Sequence, residues 1–525
     1  MVKLTGKNII GNALSGEGSI IFYGEYPATG KRIEPGFHEA AEKEIWAAIE
    51  KAATAFQEYR NKSGNERAGF LEAIADEIIA IGDDLIIRCM EETGLPEARL
   101  KGERGRTVTQ LKMFATYLRD GSWVEARIDT ADVNRTPPRP DIRSMQKALG
   151  PVGVFGASNF PLAFSVAGGD TTSALAAGCP VVFKAHAAHP GTCELVGTAI
   201  VKAAQKTGMP EGTFSMVHGK STAVGLAIVR HPLIKAIGFT GSYRGGKALF
   251  DVANSRPVPI PVYAEMGSTN PVFILPQAMK ERKENIARDL AASVTLGVGQ
   301  FCTNPGLVFY TDDKEKNFAE SFSKSLEETA PGVMLTSYIQ EAYQAGVEKL
   351  SKTQGVKTLV KGKIPGNGSY APAYLFQSTA EAFLSDRSLE EEVFGPSTLA
   401  VTVNDKEQLL RVASQLGGHL TATIHATEHD LHEYTDLISI LEQKVGRIII
   451  NGYPTGVEVT HAMVHGGPYP ATTDSRSTSV GTDAIKRFAR PVCYQNFPQT
   501  LLPEELKDEN PLGIMRMVNG KLERG

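Results

Sequence analysis

The stretch Gly150–Lys184 reads GPVGVFGASNFPLAFSVAGGDTTSALAAGCPVVFK, and its rhythm decides the architecture. Pro151–Phe155 is a short β-branched and aromatic run, which predicts a strand. Ser165–Ala177 is alanine-rich and predicts a helix, and Cys179–Lys184 is the next apolar run. A strand, a helix and a strand in immediate succession make a crossover, so the two strands lie parallel. The pattern continues with a helix over Cys193–Lys206, strands over Thr213–Val217 and Ala236–Phe239, and helices over Thr222–Val229 and Arg244–Ala253. This order predicts an α/β fold, a parallel sheet with helices on both faces and ligands at the carboxyl ends of its strands.

Working outward, residues 36–120 read as helices. Ala41, Ile45, Ala48 and Ala52, then Phe70, Ile74 and Ile78, recur at helical spacing. Residues 121–147 carry Pro137, Pro138 and Pro140 in a polar setting and read as an extended excursion. A second mixed region runs from Asn270 to about Phe488. Its expected strands are Pro271–Leu275, Leu307–Thr311, Ser397–Val403 and Arg447–Asn451, with a helix over Ala342–Leu350. After Arg490 the tail is punctuated by prolines and is expected to wrap over something already folded.

The 525 residues exceed one ordinary core, so two or three domains are expected. A net charge of -4, with no long block of either sign, gives no reason to expect nucleic acid or an anionic membrane as partner. The five cysteines are scattered and odd in number, which points to a reducing compartment, the cytoplasm. No leader and no membrane-spanning run are expected. No Cys-x-x-Cys spacing appears, and no metal is expected.

The chemistry gathers at Gly297–Gly306, Gly-Val-Gly-Gln-Phe-Cys-Thr-Asn-Pro-Gly. Ile286, Leu290 and Val294 mark a helix that these glycines break, leaving Cys302 on a tight turn facing a cleft. Such a thiol is either a small buried hydrophobe or a nucleophile. The usual Gly-x-Gly-x-x-Gly fingerprint is missing after the first strand, where Gly150, Gly153 and Gly156 have the wrong spacing. A phosphate instead suits Phe239-Thr240-Gly241-Ser242, where a strand ends and a helix begins, with Gly246 following.

Five stretches in one order carry a resemblance: Ser158-Asn-Phe-Pro161, Lys184, Ala264-Glu-Met-Gly-Ser-Thr-Asn-Pro271, Gly299-Gln-Phe-Cys302 and Glu391-Glu-Val-Phe-Gly-Pro396. Together the chain resembles the aldehyde dehydrogenase superfamily over nearly its whole length. The resemblance implies a Rossmann-type cofactor domain over 1–125 and 148–266, an α/β catalytic domain over 267–488, and a small β oligomerisation extension formed by 126–147 and 489–525. It implies that Cys302 attacks an aldehyde carbonyl, that Asn159 and the Cys302 backbone N–H receive the oxyanion, and that Glu265 activates water to hydrolyse the thioester. Glu265 is expected to have its pKa raised toward neutral by burial. Lys184, Phe239, Thr240, Gly241, Ser242, Gly246, Glu392 and Phe394 are the implied NAD(P) contacts. Relatives that prefer NAD commonly place a glutamate where this chain has Ala187, so NADP is favoured, with Lys184, His186 or Lys220 offering charge to a 2′-phosphate.

The segment His465-Gly-Gly-Pro-Tyr-Pro-Ala-Thr-Thr-Asp-Ser-Arg-Ser-Thr-Ser-Val-Gly481, with Lys184-Ala-His-Ala-Ala-His-Pro190, is similar to the branch that oxidises α-ketoglutaric semialdehyde (2,5-dioxopentanoate) to 2-oxoglutarate. The same branch resembles a bacterial long-chain fatty-aldehyde enzyme, and a binding protein without catalysis is the third reading. Arg106, Gln110 and Arg476 are the candidates for the distal α-keto acid. By resemblance the partners are a small-molecule aldehyde and further copies of the chain, as a homodimer or homotetramer.

Overall fold

The computed structural model describes residues 3–311, 318–363 and 368–524. Residues 1–2, 312–317, 364–367 and 525, which fall within the expected domain ranges, lie outside these. The Gly150 region builds one of two seven-stranded sheets. Its parallel part runs in the spatial order Phe214–Val217, Val181–Lys184, Val152–Phe155, Ala236–Thr240, Val262–Glu265. Numbered along the chain, that order is 3-2-1-4-5, the doubly wound nucleotide-binding arrangement. Asn8–Ile10 and Ala13–Ser15 extend one edge antiparallel.

Side chains alternate between two helical layers along each strand. Val152, Val154, Val181 and Phe183 pack on one side with Phe70, Ile74, Phe114 and Leu195. Phe155, Val182 and Ile237 pack on the other with Ile45, Val224, Ile228 and Leu249. Each such side chain contributes roughly 1.5–3 kcal/mol by leaving water. Burial on both faces is why these strands are unbroken apolar runs.

Two local expectations shift. The helix expected over Ser165–Ala177 begins only at Gly169. Ahead of it the Gly168 N–H closes a turn onto the Ser165 carbonyl at 2.9 Å. Residues 36–38 end the strand Arg32–His38, paired with Ile21–Glu25, before the helices Glu42–Tyr59, Gly64–Ala80, Asp83–Thr93 and Glu97–Asp120.

The second sheet has the order Lys357–Lys361, Tyr374–Thr379, Ser397–Val403, Leu307–Thr311, Val272–Ile274, His419–His425, Val445–Ile450. All neighbours are parallel except the first pair. A third sheet of five strands joins the proline-rich excursion to the tail. Ala489–Gln495 pairs with Ile142–Ala148, and Arg516–Val518 pairs with Arg127–Asp129. The tail thus wraps over this chain's own excursion. Among the described residues no helix is long and apolar enough to cross a membrane.

Candidate active site

The carboxyl ends of the first sheet supply several predicted residues together. Asn159 follows Val152–Phe155, Lys184 and Glu265 end their strands, and Gly241-Ser242 follow Ala236–Thr240. The thiol comes from the second sheet. After the helix Pro276–Thr295 the chain turns through Gly297, Val298 and Gly299, all left-handed with φ of 56°, 59° and 63°. Val298 is β-branched and rarely tolerates that region. At Gly299 a Cβ would collide with the Gly395 carbonyl. The Asn270 amide then donates to the carbonyls of Cys302 at 2.9 Å and Asn304 at 2.8 Å, fixing the loop from below.

A histidine completes the cluster. Residues 471–473 lie along the free edge of Val262–Glu265, with Met266 N–H donating to the Ala471 carbonyl at 2.7 Å and Ala264 N–H to Thr473 Oγ1 at 2.9 Å. This edge pairing swings His465 into the cleft. Its Nε2 lies 3.4 Å from Cys302 Sγ and 2.8 Å from Glu265 Oε1. His465 and Glu265 are each 1% exposed. Ser479 Oγ donates to Glu265 Oε2 at 2.5 Å, whereas Oε1 has no hydrogen bond in line.

The expectation that burial leaves Glu265 with a raised pKa is corrected here. Burial does push it up, but His465, Ser479 and Arg487 together outweigh burial and hold the carboxyl below its ordinary value. Burial and the Glu265 charge instead push the Cys302 thiol well up. The resting thiol therefore keeps its proton and needs a base to lose it.

Beside the thiol, Asn159 Nδ2 donates to the Gln300 carbonyl at 3.0 Å, so its amide is held against the thiol loop. Arg99 donates to the Asn159 carbonyl at 2.7 Å and stacks on Phe160 and Phe301. Two turns further along the same helix, Arg106 stacks on Phe160 and Phe164, and its Nε and one terminal nitrogen are buried without hydrogen-bond partners among the described residues. The Phe164 ring in turn lies 5.9 Å from that of His465. Gln110 is buried with an unpartnered amide nitrogen. Arg476 does not join them. Its side chain is 88% exposed and forks onto Asp474, which leaves it no place in a buried pocket.

On the dinucleotide side, Lys184 is pushed down to about 8 by burial, against the pull of Cys193 and Glu39. Ser242 caps the helix Tyr243–Asn254 by accepting from Gly245 N–H at 3.2 Å. Phe239 and Thr240 end the preceding strand half-buried, and Gly246 packs that helix onto Met266 and Ala264. The acidic run divides by position. Glu390 accepts from Gly417 N–H and pairs with His419, and the exposed Glu391 pairs with Lys349. Glu392 instead lies on the backbone of Gly267, where any side chain would strike its carboxylate. Burial raises Glu392 to about 7, with the Ser268 N–H opposing. Phe394 lines a pocket with Glu392, Ser268 and Thr269. A free helix start, a half-buried lysine at a strand end and a carboxylate across the cleft fit a nicotinamide dinucleotide.

A family model described as "Aldehyde dehydrogenase family" matches residues 22–488. The chain belongs to the aldehyde dehydrogenase family. Within that family it is 51% identical to "Alpha-ketoglutaric semialdehyde dehydrogenase 2" of Azospirillum brasilense, covering 99% of this chain and 100% of that one. It is 50% identical to the "Alpha-ketoglutaric semialdehyde dehydrogenase" of Acinetobacter baylyi, over 93% of each. A solved aldehyde dehydrogenase from Bacillus cereus in complex with NAD+ shares the fold, with a TM-score of 0.79 at 22% identity over 93% of this chain and 96% of that one.

His465, Ser479, Asn270 and Arg99 carry site geometry that the sequence reading did not assign. Asn270 and His465 lie in the stretches that mark the resemblance, which was the available signal. Nothing in the spacing of His465, 163 residues beyond Cys302, tied it to the thiol.

Proposed function

We propose that this chain oxidises 2,5-dioxopentanoate to 2-oxoglutarate with NAD(P)+, through a thioester on Cys302. The juxtaposition of Cys302, His465 and Glu265 carries the reading. In it, His465 Nε2 takes the thiol proton, and the adjacent Glu265 carboxylate stabilises the resulting imidazolium. The thiolate adds to the aldehyde carbon, and the Asn159 amide with the Cys302 N–H receives the oxyanion. When bound, the nicotinamide supplies the acceptor for the hydride that leaves this carbon. Glu265 then accepts a proton from the water that cleaves the thioester, releasing the acid. A carboxylate held below its ordinary value is a weaker base than a raised one. Its ionised form, however, is fully present at neutral pH.

Lys184, Thr240, Gly241 and Ser242 hold the adenosine and pyrophosphate portion in this reading. Glu392 and Phe394 take the nicotinamide ribose and ring, and Phe239 and Gly246 shape the seat. Ala187 presents no carboxylate three residues after Lys184, which supports acceptance of NADP. The unpartnered nitrogens of Arg106, with Gln110 on the same helix face, support a distal carboxylate over a fatty chain.

Residues 1–125 and 148–266 form the cofactor domain and 267–488 the catalytic domain in this reading. Residues 126–147 and 489–525 build the pairing surface of a homodimer or homotetramer, supported by exposed apolar side chains such as Val133, Leu501 and Leu522. The free cysteines support a cytoplasmic setting. Steady-state kcat/KM for 2,5-dioxopentanoate, succinic semialdehyde and decanal, each with NAD and NADP, tests the proposal. The expected order is the order given, with NADP at least as good as NAD. A clear win for decanal overturns the substrate assignment, and a tenfold advantage for NAD overturns the cofactor preference.

A further inference from the structure

Glu265, Cys302 and His465 bring a carboxylate oxygen, a sulfur and an imidazole nitrogen within 4.8 Å of one another. Sulfur and nitrogen stand 3.4 Å apart, and nitrogen and oxygen 2.8 Å. A tetrahedral zinc ion, with bonds of about 2.3 Å to sulfur and about 2.0–2.1 Å to nitrogen and oxygen, spaces its ligands by roughly 3.3–3.6 Å. The sulfur–nitrogen edge already matches that spacing, and the nitrogen–oxygen edge must open by about half an ångström for the three atoms to close on one cation.

Two further observations point inward. Glu265 Oε1 is buried and faces His465 Nε2 at 2.8 Å, while Ser479 orients the same carboxylate through Oε2. That is the arrangement of a ligating carboxylate supported from behind. The backbone N–H of His465 donates to Thr478 Oγ1 at 2.8 Å, which anchors the main chain from which the ring projects. Thiolate, imidazole and carboxylate together select a zinc-type cation over magnesium or calcium, which favour oxygen ligands alone.

We propose that the catalytic centre doubles as a site for a zinc-type cation, bound by Cys302 Sγ, His465 Nε2 and Glu265 Oε1 with water in the fourth position, and that occupancy switches the enzyme off reversibly. The sulfur–hydrogen bond gives way to a sulfur–metal bond, and the thiol proton leaves to solvent, as does any proton on Nε2. Nothing is oxidised or reduced. Bound sulfur no longer attacks a carbonyl, and bound Oε1 no longer accepts a proton from water. His465 Nδ1 is buried without a partner, so the outer support that strengthens structural zinc sites is incomplete. A chelator therefore recovers the enzyme. The binding claim holds for any reaction of Cys302 and does not rest on the substrate reading.

The test uses the full chain with zinc chloride, and cobalt(II) as a spectroscopic substitute. Equilibrium dialysis is expected to give one zinc per chain. Cobalt is expected to give a sulfur-to-metal charge-transfer band with the intense visible bands of four-coordination. Zinc should protect Cys302 from iodoacetamide, read by peptide mass spectrometry, and a chelator should restore both alkylation and activity. His465→Asn and Glu265→Gln should each weaken zinc binding by about tenfold or more. Cys493→Ser, which removes the exposed thiol, should leave binding unchanged. A cobalt complex without the sulfur band, or zinc affinity that survives both ligand variants or disappears in Cys493→Ser, overturns the proposal. A melting curve for each variant shows that it is folded, and either ligand variant alone suffices if the other is not.

Discussion

The two ends of the substrate cleft are built on opposite terms. At the thiol end, Glu265 and Asn159 are held by groups from separate stretches, and the Cys302 loop is tied down through Asn270. At the other end, Arg106 and Gln110 on one helix keep buried nitrogens with no hydrogen-bond partner among the described residues. Buried polar nitrogens left without a hydrogen bond are costly to maintain. The difference is that the groups around the thiol are tied to one another within the chain, whereas the nitrogens of Arg106 and Gln110 are left for a bound group in the proposed reading.

Variants should separate these two ends, beginning with the nucleophile. Cys302→Ser is expected to lower kcat by roughly 10⁴-fold or more without changing the melting temperature. Retention of a tenth of the activity would remove the thiol from the mechanism. His465→Asn should cost about 10²–10⁴-fold in kcat and slow alkylation of Cys302 at pH 7, because the proton acceptor is gone. If kcat falls while alkylation stays at the parent rate, His465 is structural.

At the opposite end, Arg106→Met should reduce kcat/KM for 2,5-dioxopentanoate by about 30–1000-fold, leave propanal within about threefold, and hold or raise the melting temperature. Equal losses on both aldehydes would erase the contrast between the two ends. A smaller effect is expected on the dinucleotide side. Glu392 sits at about 7 because burial raises it, so lowering the pH from 8 to 6 should weaken NAD(P) binding by about tenfold as the carboxylate protonates. Glu392→Gln should flatten that dependence in a fluorescence titration. The same raised value means that protonated Glu392 stabilises the fold fully below its ordinary 4.5, a contribution lost as pH rises through about 7. Smallest of all, Arg476→Ala should change kcat/KM by less than about twofold, since an exposed ion pair is worth about 0–1 kcal/mol.

Much of this was legible in the chain. The strands Leu307–Thr311 and Ser397–Val403 occur as expected, and those after Gly150 shift by a residue or two at most. Apolar runs with β-branched residues are local signals, and burial on both faces makes them strong. The start of the helix at Gly169 was missed because the Ser165–Gly168 turn is fixed by backbone contacts that composition does not encode. The direction at Glu265 was missed because burial is visible in an apolar neighbourhood, whereas the groups that oppose it, His465, Ser479 and Arg487, lie far along the chain.

By itself, the sequence determined most of the alternating strands and helices after Gly150, the glycine-flanked thiol and the stretches that mark the family. Those are properties of short windows, set by periodicity and turn chemistry. Only the tertiary structure decided which charges surround the thiol and which arginine faces the cleft. Arg106 and Arg476 were equal candidates as residues. One lies on a helix packed beneath Phe160 and Phe164, and the other forks onto Asp474 in solvent. Edge pairing of residues 471–473 on the first sheet brings His465 to a cysteine 163 positions away. Such contacts arise when two sheets close on each other, and no local spacing records them.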